Sequence, residues 1–99
     1  MRSEWDPAKS ESNETKHGIA FERAQLVFDD PCCVTFPERV VDGEEPWHAI
    51  GLIAGIVIIV VVHAHRVEES EGRSKEVVRI VSARRATRRE REIYAQAID

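Results

Sequence analysis

The side chains best suited to handling a phosphodiester lie in the last third of the chain. Between Arg79 and Arg91 there are six arginines and one acid, Glu90. Residues 1–62 carry 5 basic and 11 acidic side chains, whereas residues 63–99 carry 9 basic and 7 acidic. A basic stretch in a chain of net charge −4 points to a polyanionic partner for one face only. A solvated, arginine-rich helix accounts for the same composition, so composition alone leaves both readings open. The histidines His17, His48, His63 and His65 add imidazoles, the side chains that exchange protons near neutral pH. RNA cleavage needs such a set: a base for the 2′-OH proton, an acid for the leaving oxygen, and cations for the charge on the phosphorane.

Other chemistries lack their signatures. There is no glycine-rich phosphate loop, no His-Glu-x-x-His, no Cys-x-x-Cys and no nucleophile elbow, which argues against a nucleotide hydrolase, a metalloenzyme and a serine hydrolase. Cys32 and Cys33 are adjacent, a spacing that suits neither a disulfide framework nor a zinc site and fits a reducing cytoplasm. No metal site and no cofactor are expected. The polar first 18 residues do not read as a signal peptide.

The 99 residues suit one domain, 1–99, with a modest core. Asp6-Pro7 predicts a helix start, with Asp6 as cap and Pro7 at the first helical position. That helix covers Ala8–Lys16, and Gly18 ends it in a left-handed conformation. A second short helix, about Ala20–Phe28, follows from the spacing of Phe21, Ala24, Val27 and Phe28. Strands are expected at Cys32–Phe36, an edge position between Pro31 and Pro37, and at Trp47–Ile53, Ile56–His65 and Glu76–Ser82. Loops are expected at Glu38–Pro46 and Val67–Lys75, and a last helix at Ala83–Ile98. Ala49–Val62 is uncharged, but it is short for a membrane span, nine of its 14 residues are Val or Ile, and Ala54-Gly55 suits a turn. Two buried strands joined by a hairpin fit it better than a span. The predicted class is α+β: two N-terminal helices, an antiparallel sheet of about four strands, and a C-terminal helix.

These elements would position the candidates. In the strand Glu76–Ser82, alternation puts Arg79 between Val77 and Val81 on one face, where it must reach water or an anion. If the Val67–Lys75 loop closes symmetrically about Glu71, His63 lies opposite Arg79 with His65 diagonal to it on the same face. A one-residue slip would separate them. The alternative is an ordinary polar patch on a solvated sheet face. Arg66 ends the preceding strand. Lys16 and His17 stand in the last turn of the first helix, where cations also suit the helix dipole. On the last helix, Arg84, Arg88 and Arg91 would form one stripe, with Arg85 and Arg89 beside it.

Several segments together resemble the BrnT family, toxins of the wider RelE/ParE-like group. They are Glu4-Trp5-Asp6-Pro7-Ala8-Lys9; Asn13 with Lys16-His17-Gly18-Ile19, Phe21-Glu22 and Val27-Phe28-Asp29-Asp30-Pro31; Gly43-Glu44-Glu45 with Trp47 and Ile50-Gly51; Val60-Val61-Val62-His63; and Arg79 through Arg91 with Tyr94. The most specific block is Arg79-Ile80-x-Ser82-Ala83-Arg84-x-Ala86-Thr87-x-x-Glu90. The resemblance implies a RelE-like fold and a cytoplasmic, metal-independent endoribonuclease that arrests translation. It also implies RNA as substrate, free or on the ribosome, a BrnA-like antitoxin as partner, and operator DNA reached only through that antitoxin. Lys16, His17, Arg66, Arg79 and Arg84 match basic positions of the family pattern. With His63, the first four are the catalytic candidates; Arg84, Arg85 and Arg88 are the candidates for holding RNA. The sequence departs from the pattern at Pro46, at the apolar turn Ile53–Ile56, at His65 and in a lengthened segment before Glu76. Two other functions stay open: a ParE-like toxin that binds a protein such as gyrase, and an inactive toxin serving as co-repressor with its antitoxin.

Overall fold

The computed structural model describes residues 2–37 and 46–98. Helix α1, Pro7–His17, begins and ends on the expected residues. The Asp6 carboxylate accepts the Ala8 N–H at 2.9 Å, and Gly18, at φ 73°, donates its own N–H to the Glu14 carbonyl. Helix α2 is a single turn, Phe21–Ala24, that tightens into a 3-10 segment over Gln25–Asp29. The strands are β1 (Arg2–Glu4), β2 (Val34–Pro37), β3 (Trp47–Ile53), β4 (Val57–Ser70) and β5 (Arg73–Arg85), and helix α3 covers Arg88–Ala97.

The sheet order is β1-β5-β4-β3-β2, antiparallel except where β1 runs parallel to β5. The α+β class is as expected, with five strands rather than about four. β2 takes the edge position that its flanking prolines imply. Ala49–Val62 forms the expected hairpin, turning through Ala54 (φ 54°) and Gly55 (φ 66°). No helix among the described residues is long and apolar enough to cross a membrane. Most of the expected loop Glu38–Pro46, and the Gly43-Glu44-Glu45 segment, lie outside the described residues.

Three expectations are corrected. Val67–Lys75 is not a loop: β4 and β5 continue as a charged two-stranded ribbon, with Glu68 opposite Lys75, closed by a two-residue turn at Glu71 and Gly72. Both turn residues have positive φ, 52° and 74°, the geometry that matches the twist of a tight hairpin. The last helix does not begin at Ala83. β5 runs to Arg85, and Thr87 starts α3 with a capping box, its hydroxyl accepting the Glu90 N–H while the Glu90 carboxylate accepts the Thr87 N–H. Finally, β1 was not expected at all; three polar residues become a strand only through their pairing with Arg2↔Val77, Ser3↔Val78 and Glu4↔Arg79. Thr87→Ala should cost about 1 kcal/mol, read from denaturant unfolding, through loss of the cap.

The sheet carries a hydrophobic cluster on each face. On one, Phe21, Ala24 and Val27 from α2 and the 3-10 segment pack on Ala49, Ile59, Val61, Ile80 and Ala83; this is the α2 face. On the other, the α3 face, Ile50 and Val60 pack against Ala86 and Tyr94. The Asn13 side chain binds the Ile19 carbonyl and both the N–H and C=O of Ala83, standing in for a neighbouring strand beyond the end of β1. Gly51 lets the 3-10 segment approach: a Cβ there would come 2.2 Å from Val27 Cγ2. Gly51→Ala should therefore cost about 2 kcal/mol by overpacking, measured as a lower thermal midpoint.

Candidate functional site

The β4–β5 register decides which candidates can meet. Because the turn has two residues, Ser70 pairs with Arg73, His65 with Val78 and Ala64 with Arg79. The same register places His63 opposite Ile80, and a bulge between Val62 and His63 shifts the pairing only beyond it, to Val62 with Ser82. Directly opposed residues share a face and neighbours alternate, so His63 lies on the α2 face and Arg79 on the α3 face. The expected His63–Arg79 pair is not formed; the slip of one residue separates them.

On the α3 face, Arg79 shares its side of the sheet with Arg2, Glu4, Arg66, Glu68, Arg73 and Lys75. Arg66 donates to the Glu4 carboxylate through both terminal nitrogens and to Glu68 Oε1 at 2.6 Å. Arg2 binds the two Glu68 oxygens at 3.0 and 3.1 Å. The Arg66 guanidinium, with that of Arg2, holds the Glu68 carboxyl below the usual carboxylate range. Arg79 is exposed and, among the described residues, makes no hydrogen bond or ion pair. Arg2 and Arg66 are thus neutralised in place, and Arg79 is left for an external anion.

Lys16 and His17 are exposed in the last turn of α1, as expected. With Lys9 and Ser12 they line a shallow groove of about 210 Å³ whose other side is Val81 and Ser82 of β5, just beyond Arg79. The cationic end of α1 and the strand that carries Arg79 are therefore adjacent.

The arginine stripe expected on one helix is divided between two elements. Arg84 and Arg85 end β5, and Arg88 begins α3. Arg84 grips Glu90 with two bonds, at 2.7 and 2.9 Å, and chiefly through them the Glu90 pKa is pulled down to about 2. Arg85 is exposed, and exposed Arg88 stands 3.5 Å from Glu92. Tyr94, buried in the cluster on the α3 face, donates to Asp30 Oδ2 at 2.6 Å; that bond is the main reason its pKa is raised to about 12.

His63 lies in a different environment. It is 0% exposed, meets Phe28 edge to face at 5.0 Å and has His65 at 4.7 Å. Burial first, and then the charges of His65 and His48, push its pKa down to about 4, so it is neutral at pH 7. His65 Nδ1 is 2.7 Å from Glu76 Oε1. The two imidazoles do come together, but beside a carboxylate rather than a guanidinium. His48 is buried and stacked on Phe36, in line with a structural role.

Glu4, Glu68, Arg73, Lys75 and Glu76 join these candidates only through strand pairing. Alternation through Arg73–Arg85 carried the signal, since Arg73, Lys75 and Arg79 fall on one face once the segment is read as strand.

A family model described as "Ribonuclease toxin, BrnT, of type II toxin-antitoxin system" matches residues 5–90. Among solved structures, the crystal structure of the Brucella abortus ribonuclease toxin BrnT is similar, with a TM-score of 0.62 and 23% sequence identity. The match covers 89% of this chain and 100% of that one. No curated protein matches the chain.

Proposed function

Since the chain belongs to the BrnT family of ribonuclease toxins of type II toxin–antitoxin systems, we propose that it is an endoribonuclease that works at the α3 face of its sheet and the adjoining end of α1. The observation that carries this reading is Arg79, an exposed guanidinium that makes no hydrogen bond or ion pair among the described residues, beside Arg66 and Arg2, which are already ion-paired. A phosphodiester placed there gains a charge-assisted, bidentate partner without breaking any existing pair.

In this reading His17 takes the 2′-OH proton, and the 2′ oxygen attacks phosphorus. Arg79 and Lys16 offset the charge on the phosphorane, the bond to the 5′ oxygen breaks, and that oxygen takes a proton from water while His17 gives up its own to the solvent. The products are a 2′,3′-cyclic phosphate and a 5′-OH end. Arg66 serves by fixing Glu4 and Glu68 beside Arg79. Arg88 extends the phosphate track and Arg84 clamps the β5–α3 junction through Glu90, whereas Arg85, opposite Ile59, faces the other side of the sheet. His63 has no part in the chemistry, because it is buried, neutral and on the other face. Cleavage arrests translation in the cytoplasm until a BrnA-like antitoxin neutralises the toxin, and operator DNA is reached only through that antitoxin.

Incubating the purified protein with messenger RNA, with and without ribosomes, tests this. Cyclic-phosphate ends should form, and EDTA should leave the rate unchanged. If wild type and Arg79→Ala both leave RNA intact while growth still arrests, the ribonuclease mechanism is wrong and a protein target takes its place.

A further inference from the structure

The two faces of the β4–β5 ribbon differ in charge. The α3 face collects Arg66, Arg73, Lys75 and Arg79 against Glu68, whereas the α2 face carries His65, Val67, Glu69, Ser74 and Glu76, with no lysine or arginine from either strand over this stretch. Val67, paired with Glu76, is 63% exposed.

At the base of this acidic face lies a pocket of about 460 Å³. Its walls include Phe28, Trp47, His63 and His65, and Thr35 and Glu76 supply oxygen atoms. Trp47 and His65 meet edge to face at 5.8 Å. Two polar groups lack partners among the described residues. Both ring nitrogens of fully buried His63 are without a hydrogen bond, and Glu76 uses Oε1 for His65 but leaves Oε2 unbonded. A buried imidazole without partners is costly and calls for an explanation.

Aromatic walls, a spare carboxylate oxygen and no cation together match a guanidinium, which stacks on rings and bonds to acceptors in its plane. A phosphate-bearing ligand meets only Glu69 and Glu76 here, so RNA belongs on the opposite face. Among the described residues no three His, Cys, Asp or Glu groups are arranged to hold a metal ion.

We propose that this pocket receives an arginine side chain from a basic segment of the antitoxin, with Glu76 as its ion-pair partner, Trp47 as its stacking surface and Glu69 drawing the flanking basic residues. The partner's identity rests on the toxin–antitoxin assignment; the pocket's preference for a cationic side chain rests on the geometry alone. The contact leaves the Arg79 face open.

Titrating the antitoxin encoded with this chain into wild type, Glu76→Gln and Glu69→Lys, by calorimetry, tests the proposal. Glu76→Gln should weaken binding roughly 30-fold or more, and Glu69→Lys should weaken it further at low salt than at high salt. Both side chains are exposed, so thermal midpoints should match wild type. Substituting the antitoxin arginines one at a time should find one that couples to Glu76 in a double-mutant cycle. RNA cleavage by the free variants should equal that of wild type. Unchanged affinity in both variants, or no arginine coupled to Glu76, overturns the proposal. So does ultraviolet crosslinking of RNA to Trp47. A wild-type protein that cuts no RNA would sink the ribonuclease mechanism and leave the binding result standing.

Discussion

Replacing Arg79 by alanine is expected to lower RNA cleavage by about 10²–10³-fold, the usual cost of removing a group aimed at transition-state charge. The melting temperature should stay near that of wild type, because the side chain is exposed and holds no protein partner among the described residues. Arg79→Lys should recover only part of the rate, since an ammonium restores the charge but not the planar, bidentate geometry. Arg66→Ala should behave differently. It releases Glu4 and leaves Glu68 to Arg2 alone, and so leaves uncompensated negative charge beside the bound phosphate. Its effect should therefore shrink as salt rises, while the Arg79→Ala loss persists. Gel-resolved cleavage rates at two ionic strengths separate the two. Equal rates for wild type and Arg79→Ala would show that this face is not where RNA is cut.

Acidification should destabilise the fold through His63. An unfolded histidine titrates near 6.5, whereas burial pushes His63 down to about 4 in the folded chain. Between those values the unfolded chain binds a proton that the folded chain refuses, so stability falls as pH falls through this window. The full difference is worth roughly 3 kcal/mol. Below pH 4.5 Glu90 adds to the loss: its folded pKa, near 2, lies under the ordinary value, so its contribution is present above 4.5 and disappears towards pH 2. The charged and titratable groups nearest His63 are His65, with its Glu76 partner, and His48. Denaturant unfolding at a series of pH values should show the decline in wild type. His63→Phe keeps a ring against Phe28 and removes the titrating group, so its stability should be nearly flat from pH 6.5 to 4.5. A wild-type profile that is equally flat would mean that His63 is hydrated or paired in solution.

Part of this protein is legible residue by residue. Asp6, Pro7 and Gly18 define α1 because caps act locally, through backbone groups a few positions away. The run Ala49–Val62 reads as a buried hairpin because β-branched residues and a Gly turn lie in one continuous stretch. Thr87-x-x-Glu90 has the spacing of a capping box, a local signal that starts α3 after Thr87 rather than at Ala83.

What the sequence left open involves partners distant in the chain. β1 exists because β5 offers it a free edge, and no local property of Arg2–Glu4 announces a strand. The Val67–Lys75 ribbon is charged on both faces, so it lacks the apolar alternation that marks a strand with a buried side. That ribbon and its two-residue turn set the β4–β5 register as far as His63, and the bulge at Val62/His63 resets it beyond. Side chains alternate with a period of two, so one residue of register is enough to move a histidine from the face of Arg79 to a pocket on the other side. Residue types and caps therefore determined the class, the core strands and the basic character of the final third. Only strand pairing decided that Arg79 stands with Arg2, Arg66, Arg73 and Lys75 on one face and that His63, His65 and Glu76 meet on the other.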